Sequence, residues 1–235
     1  MGIRFDLCHS HSIACRLVTE HSRISFAPLT PRIYESCTLL EPEGEEGTLT
    51  FVSRPNNVYQ RLFLATLSSR SIPGLQVLVK LVSRSYSQDV HKHMADIGLA
   101  PKLYGYAEVE GAPTAYVMEY LDPCTWETLH QFPKSDAAAM DRTQLQEALD
   151  GIIGKLESKN YVHSDLRSNN IMIRTNVKEK SVDLRVIDFD WAGEVGQVCY
   201  PAERNREIQW PGEAGGPIEQ DHDSKMVDSW MKDLQ

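Results

Sequence analysis

The sequence HSDLRSNNI at residues 163–171, followed by IDFD at residues 187–190, decides the fold of this chain. The first segment places Asp165 and Asn170 five positions apart, and the second supplies Asp188. A carboxylate, an amide and a second carboxylate at such a spacing can combine proton transfer with metal binding. Both segments are therefore candidates for one chemical site.

The sequence around these segments predicts how they are placed. Apolar residues recur at helical spacing between 143 and 158, which predicts a helix just before the first segment. β-branched runs at 171–173 and 182–187 flank a polar turn and predict a β-hairpin that joins the two segments. Since a hairpin brings its two ends together, we expect the carboxylates and the amide to face each other.

The residues before this region predict an antiparallel sheet. From residue 36 onward, short apolar runs alternate with pieces rich in Gly and Pro. The run VLVK at 77–80 puts Lys80 at the end of an apolar strand, where a buried ammonium group needs an anionic partner. A helix is predicted over 87–97, and a buried strand over 116–121.

These residue types are the ones that phosphoryl transfer requires. The reaction needs a carboxylate near the attacking hydroxyl group, oxygen ligands for Mg²⁺ and a cation near the nucleotide phosphates. Asp165 can act as the base, while Asn170 and Asp188 can bind Mg²⁺. Lys80 can pair with the phosphates of ATP.

The same motifs resemble those of the protein-kinase-like superfamily. HSDLRSNNI is similar to the kinase catalytic loop H-R-D-L-x-x-x-N, IDFD to the D-F-G segment and VLVK to V-A-I-K. The strings IDFDWAG, YVMEYLD and GLAPKL resemble an atypical fungal-type kinase-like group. The resemblance covers residues 77 to about 223.

This resemblance implies an α+β, two-lobed, protein-kinase-like fold. Residues 36–120 would form a small antiparallel-sheet N-lobe that binds the nucleotide. Residues 121–235 would form an abbreviated, mainly helical C-lobe with the catalytic loop and the metal-binding segment. Residues 1–35 show no clear period and are expected to form an N-terminal extension.

The resemblance also implies the nucleotide-binding residues. Lys80 would pair with the α and β phosphates of ATP. Glu119 to Leu121 would form the hinge that holds adenine, with Met118 as the gatekeeper beside it. Kinases usually pair the lysine with a helix glutamate, and Asp89 is the candidate for that partner here.

The catalytic residues follow in the same way. Asp165 would orient or deprotonate the acceptor hydroxyl group, and Arg167 would lie near the transferring phosphate. Asn170 and Asp188 would bind Mg²⁺, and His163 would support the loop.

Three positions depart from the kinase pattern. Ser164 replaces an arginine, and Leu78 replaces the small alanine of V-A-I-K. Asp190 replaces the glycine of D-F-G and could either add a metal ligand or repel the nucleotide. The sequence leaves both possibilities open.

The composition of the chain limits which partners and which cellular compartment are expected. The formal net charge of −9 argues against a nucleic-acid surface, and no apolar run approaches the length of a membrane span. The five cysteines are an odd number and widely spread, which favours a reducing cytoplasmic or nuclear compartment. The oligomeric state is not predicted.

Three functions fit these observations. The first is an ATP- and Mg²⁺-dependent kinase that phosphorylates a hydroxyl group, with protein Ser or Thr favoured as acceptor. The second is a pseudokinase or scaffold with little turnover, suggested by Leu78 and Asp190. The third is a small-molecule kinase similar to the aminoglycoside phosphotransferases, which also combine H-x-D with a later aspartate.

Overall fold

A computed structural model describes residues 31, 33–55, 61–132, 142–176 and 181–233. The predicted N-terminal extension, residues 1–35, lies outside the described residues apart from its last few positions. Among the described residues, no helix has the length and apolar character needed to cross a membrane.

Six antiparallel strands in the first half of the described chain close into a barrel. Their order around the barrel is β1-β2-β3-β4-β6-β5, and β5 pairs with β1 to close it. The predicted antiparallel strands are thus present, while their closure was not predicted. The strands are β1 (Ser36–Leu39), β2 (Glu46–Ser53), β3 (Leu62–Ser68), β4 (Pro73–Val82), β5 (Leu103–Ala107) and β6 (Thr114–Glu119).

The alternation of side chains along β4 places Lys80 on the outer face of the barrel. Val77 and Val79 are fully buried in the barrel core, whereas Leu78 and Lys80 are only partly buried. Because successive side chains of a strand point to opposite faces, Leu78 and Lys80 share the outer face. The barrel therefore presents the lysine toward the rest of the chain.

The closure of the barrel depends on a residue without a side chain. Gly105 of β5 lies opposite Leu39 of β1, and a Cβ atom there would overlap the carbonyl oxygen of Thr38. We expect Gly105→Ala to destabilise the fold by about 1–3 kcal/mol because the two strands must separate. Urea unfolding measures this change, and an unchanged midpoint would contradict the strand pairing.

Gly154 provides the matched control for this substitution. It lies on a helix, is exposed, and a Cβ atom added there would contact nothing within 4 Å. Gly154→Ala is expected to stabilise the fold by up to about 1 kcal/mol because alanine favours the helix.

Three helices and a β-hairpin form most of the remaining structure. The predicted hairpin and the predicted helices over 87–97 and 143–158 are present within about one residue of their expected ends. Short strands add to the hairpin or pair near the catalytic loop. The elements are α1 (Gln88–Asp96), β7 (Glu127–Thr128), α2 (Arg142–Glu157), β8 (Tyr161–Val162), β9 (Ile171–Asn176), β10 (Ser181–Val186), β11 (Gly193–Glu194) and α3 (His222–Asp233).

A second hydrophobic core joins these helices to the hairpin. The apolar stripe of α2 packs there against residues of β9 and β10, and Val227 and Met231 of α3 complete it. Val90 and Met94 of α1 also belong to this core, although α1 follows the barrel strand β4 directly. Helix α1 is thus anchored to the second half of the chain.

Candidate active site

The hairpin brings the two sequence segments together as predicted. Val186 at the end of β10 lies opposite Ile171 at the start of β9, so the segments before and after the hairpin are neighbours. The backbone N–H of Ile187 donates to the carbonyl oxygen of Asn170 at 2.9 Å. This pairing fixes residues 163–171 against the segment that contains Asp188.

Asp165 is held by three donors within this loop. Its side chain accepts from Nε of Arg167 at 2.5 Å and from Nη2 of Arg167 at 2.8 Å. Nδ2 of Asn170 donates to the Asp165 carboxylate and also to its carbonyl oxygen, both at 2.9 Å. Burial raises the pKa of Asp165 above its ordinary value, against the opposing charge of Arg167. A carboxyl group whose pKa is raised is a stronger proton acceptor.

Lys80 bridges two carboxylates of the second segment. Its Nζ lies 2.5 Å from Oδ1 of Asp188 and 2.5 Å from Oδ1 of Asp190. The lysine side chain is only 15% exposed, while those of Asp188 and Asp190 are 43% and 32% exposed. The cation is therefore enclosed, and the carboxylates remain open to a cleft.

The pKa values in this triad reflect the same arrangement. Burial alone would lower the pKa of Lys80, but the two carboxylates outweigh it and the pKa is raised. Burial acts to raise the pKa of Asp188, yet Lys80 overcomes this effect and lowers it. Burial dominates at Asp190, whose pKa is raised. Asp188 is thus the carboxylate held most firmly in its charged form.

The structure differs from the prediction that Asp89 partners Lys80. Asp89 lies in the first turn of α1, and its side chain is exposed. The buried face of α1 consists instead of Val90, His91 and Met94. Since helix orientation is set by this apolar face, Asp89 faces the solvent, and Lys80 pairs with Asp188 and Asp190 instead.

Phe189 fixes the backbone between the two carboxylates. Its buried ring stacks on His91 with centroids 4.6 Å apart and meets the edge of His163 at 5.1 Å. Nε2 of His163 donates to the carbonyl oxygen of Ile187 at 3.1 Å. Asp188 has a positive φ of 72°, a strained conformation for a residue with a side chain, and these contacts hold it.

The predicted hinge residues lie at the edge of the same cleft. Met118 of β6 lies opposite Leu78 of β4 and is 7% exposed. The backbone N–H of Glu119 donates to the carbonyl oxygen of Lys102 at 2.8 Å. Leu121 follows the end of β6 and is half-buried. Leu78 and Lys80 share one face of the strand, so Leu78 borders the space beside the hinge.

Two solved structures with a similar fold are those of protein kinases. The PK-1 kinase of Cydia pomonella granulovirus matches with a TM-score of 0.54 at 14% identity, covering 79% of this chain and 67% of that chain. The chain has a protein-kinase-like fold. Vaccinia related kinase 3 matches with a TM-score of 0.53 at 14% identity, covering 85% of this chain and 67% of that chain. The predicted α+β kinase-like fold is confirmed.

The likeness is one of structure rather than of sequence. No family model matches the chain, and neither does any curated protein sequence. At such low identity the comparison defines the fold alone. The chemistry of this chain therefore depends on its own residues.

Asp223 is a buried residue beside His163 and Ser164 that the sequence-based predictions did not include. Its carboxylate accepts from the backbone N–H of His163 at 2.6 Å and of Ser164 at 2.8 Å. Ser164 has a positive φ of 72°, and the two hydrogen bonds hold this turn in place. An available signal was the spacing of Asp223 from Met226 and Val227, which puts an acid on the buried stripe of α3.

The pH dependence of stability should report on Asp223. Burial raises its pKa to about 6. An ordinary aspartate has a pKa of about 4, so the folded chain holds this proton more tightly than the unfolded chain does. The stability contributed by this proton is complete below about pH 4 and is lost as the pH rises through about 6.

We therefore compare the wild type with Asp223→Asn, in which this position does not titrate. Lowering the pH from about 7 to about 5 should stabilise the wild type by about 1 kcal/mol relative to the variant. Urea unfolding at both pH values measures this difference, because other titrating groups affect both proteins alike. A difference in stability that stays constant with pH would contradict the raised pKa of Asp223.

An open cavity adjoins the catalytic loop on the side of α3. Its volume is about 760 Å³, and Arg167, Ser168 and Asn169 of the loop form one wall. The 205–209 loop and α3, including Trp230, form the others. The Arg167 guanidinium also lies over the Trp210 ring, 5.4 Å from its centroid. The cavity thus opens beside the residue that holds Asp165.

Proposed function

We propose that this chain is an ATP- and Mg²⁺-dependent kinase that transfers the γ-phosphoryl group to a hydroxyl acceptor, with a protein serine or threonine as that acceptor. One observation carries the proposal. Lys80 of the barrel and Asp165, Asn170 and Asp188 of the second half converge on one cleft. This is the set of groups that positioning and charge stabilisation in phosphoryl transfer require.

Asn170 and Asp188 fit a magnesium ion. Both hydrogen bonds of the Asn170 amide are donated by Nδ2, which leaves its oxygen available as a ligand. The Asp188 carboxylate is partly exposed to the cleft and is kept charged by Lys80. Carboxylate and amide oxygens are preferred by Mg²⁺. When bound, the ion would neutralise charge on the nucleotide phosphates.

The barrel residues fit the nucleotide. Lys80 would pair with the α and β phosphates, since its enclosed ammonium group is directed into the cleft. Met118 would border adenine, and the backbone of Glu119 and Leu121 would bind its edge. Leu78 narrows this space from the strand β4.

Asp165 and Arg167 would act on the acceptor. Asp165 would orient the attacking hydroxyl group and accept its proton, helped by the burial that raises its pKa. Arg167 holds the Asp165 carboxylate with two donors, and it would also lie near the transferring phosphate. The cavity beside this pair would admit the acceptor.

Further parts of the proposal concern the organisation and setting of the protein. We place the nucleotide-binding N-lobe at residues 36–120 and the catalytic C-lobe at residues 121–235. We also propose membership of the atypical fungal-type kinase-like group, in a cytoplasmic or nuclear setting. The partners would be a hydroxyl-bearing substrate rather than nucleic acid or a membrane.

Purified wild-type protein tests the proposal in two steps. A thermal-shift titration with ATP and Mg²⁺ should raise the melting temperature, whereas ATP with a chelator should have a smaller effect. Incubation with ATP labelled at the γ-phosphate should then label the chain itself or an added mixture of proteins. Absence of both responses would refute the kinase function.

Two alternatives rest on specific observations. Lys80 is bound by two carboxylates and Leu78 borders the hinge, which favours a pseudokinase that binds partners with little turnover. A pseudokinase would label neither itself nor added proteins with phosphate, even if it bound the nucleotide. The 760 Å³ cavity with its polar wall suits a compact polyhydroxylated acceptor, which favours a small-molecule kinase. Labelling of amino alcohols or sugars, without protein labelling, would support that alternative.

A further inference from the structure

Both acidic partners of Lys80 come from one short segment of the chain. Asp188 and Asp190 lie two positions apart, and each places an oxygen 2.5 Å from the Lys80 ammonium group. On the side of α1, this ammonium group lies over the ring of Tyr86, a residue just before the helix begins. The Lys80 Nζ lies 5.6 Å from the centre of the Tyr86 ring.

The residues just before α1 are hydrogen-bonded to this segment. Oγ of Ser85 donates to the carbonyl oxygen of Asp190, and the backbone N–H of Ser87 donates to that of Phe189, both at 3.2 Å. The stacking of His91 on Phe189 adds a third contact. These contacts fix Asp190 relative to the helix and to the lysine.

The two carboxylates differ in what else they can do. Asp188 follows Ile187, whose backbone N–H donates to Asn170, and under the proposed function it would bind the metal ion. Lys80 is 15% exposed, so it would then lack a firm counter-ion at its own position. Asp190 remains at hydrogen-bond distance to supply that charge.

We propose that Asp190 is the positioning residue of Lys80: it replaces the helix carboxylate that kinases use, and it holds the lysine in the cleft while Asp188 binds the metal ion. The inference rests on the proposed function for its role in catalysis. The sequence left the role of Asp190 open, and the inference makes it the partner of Lys80 and not a ligand of the metal ion. Helix α1 then supports Lys80 through Asp190 and needs no acidic side chain of its own.

A double-mutant cycle tests the pairing without nucleotide or metal. Lys80→Met, Asp190→Asn and the double variant are compared by urea unfolding in the presence of a chelator. We expect Lys80→Met to change the unfolding equilibrium constant about tenfold less in the Asp190→Asn background than in the wild type, because one of the two carboxylate partners of Lys80 is already lost. The control cycle of Lys80→Met with Asp89→Asn should be additive.

Kinetics test the role in catalysis. Asp190→Asn should raise the KM for ATP about tenfold and leave the half-saturating Mg²⁺ concentration unchanged, because the metal ligands are intact. Asp190→Glu should restore part of the loss, since it keeps the charge. Asp183→Asn, which removes an exposed carboxylate paired with Arg174 on the hairpin, serves as the charge-matched control.

Three outcomes would overturn the inference. If the effects of Lys80→Met and Asp190→Asn on stability were additive, the two residues would not be paired. If Lys80→Met were instead coupled to Asp89→Asn, the carboxylate that positions Lys80 would be the one on α1. A change in the Mg²⁺ requirement of Asp190→Asn would make Asp190 a metal ligand instead. The cycle needs no substrate, so it can show the pairing of Lys80 with Asp190 even if the chain proves not to be a kinase. Conversely, the chain can prove to be a kinase even if the cycle shows no pairing.

Discussion

Asp165→Asn is expected to lower the rate of phosphoryl transfer by about 10²–10⁴-fold, the usual contribution of a positioned general base. An amide cannot accept the proton of the acceptor hydroxyl group. Binding of ATP with Mg²⁺ should change by less than about threefold, because Asp165 acts on the acceptor and not on the nucleotide. A steady-state assay with labelled ATP, together with a thermal-shift titration, measures both effects.

The substitution also has a local structural cost. Oδ1 of Asp165 accepts from Arg167, and Oδ2 accepts from both Arg167 and Asn170, so an amide nitrogen at either position would face a donor. We therefore expect a lower melting temperature for Asp165→Asn. Asp150→Asn on the exposed side of α2 controls for the loss of one charge. Unchanged turnover in a folded Asp165→Asn variant would remove this residue from the reaction.

Asp188→Asn is expected to weaken binding of ATP with Mg²⁺ by at least about 100-fold, since a charged metal ligand is replaced by a neutral one. At a ligand concentration about 100 times the wild-type Kd, binding stabilises the wild type by about 2.7 kcal/mol. The same concentration would stabilise a variant of 100-fold lower affinity by only about 0.4 kcal/mol. The shift in melting temperature should therefore almost disappear.

The Mg²⁺ dependence separates this effect from a general loss of structure. The wild type should respond to ATP much more strongly with Mg²⁺ than with a chelator, while Asp188→Asn should respond equally to both. In the variant Lys80 keeps Asp190 as a partner, so the protein should still unfold cooperatively. A full Mg²⁺-dependent shift in Asp188→Asn would show that the metal ion binds elsewhere.

Local sequence patterns predicted the helices and the hairpin because their causes are local. Apolar residues recur every three or four positions along α2, and β-branched residues cluster within the short strands β9 and β10. The register of the hairpin then brought the segments at 163–171 and 187–190 together. The kinase-like fold could therefore be expected from one stretch of the chain.

The partner of Lys80 could not be found in this way. Asp89 was chosen by analogy with a helix carboxylate, but the buried face of α1 turns it to the solvent. Asp190 is 110 residues away from the lysine along the chain. Its contact depends on how the barrel meets the second core, and no local pattern encodes that distance.

By itself, the sequence determined the residue types at the site, their order and the local elements that carry them, because side-chain periodicity and spacing act over a few residues. Tertiary structure alone decided which groups meet beyond the ends of the hairpin. It closed the barrel through Gly105, placed Asp223 under the catalytic loop and gave Lys80 two carboxylates. These contacts join residues far apart in the chain, so no pattern within a few neighbouring residues fixes them.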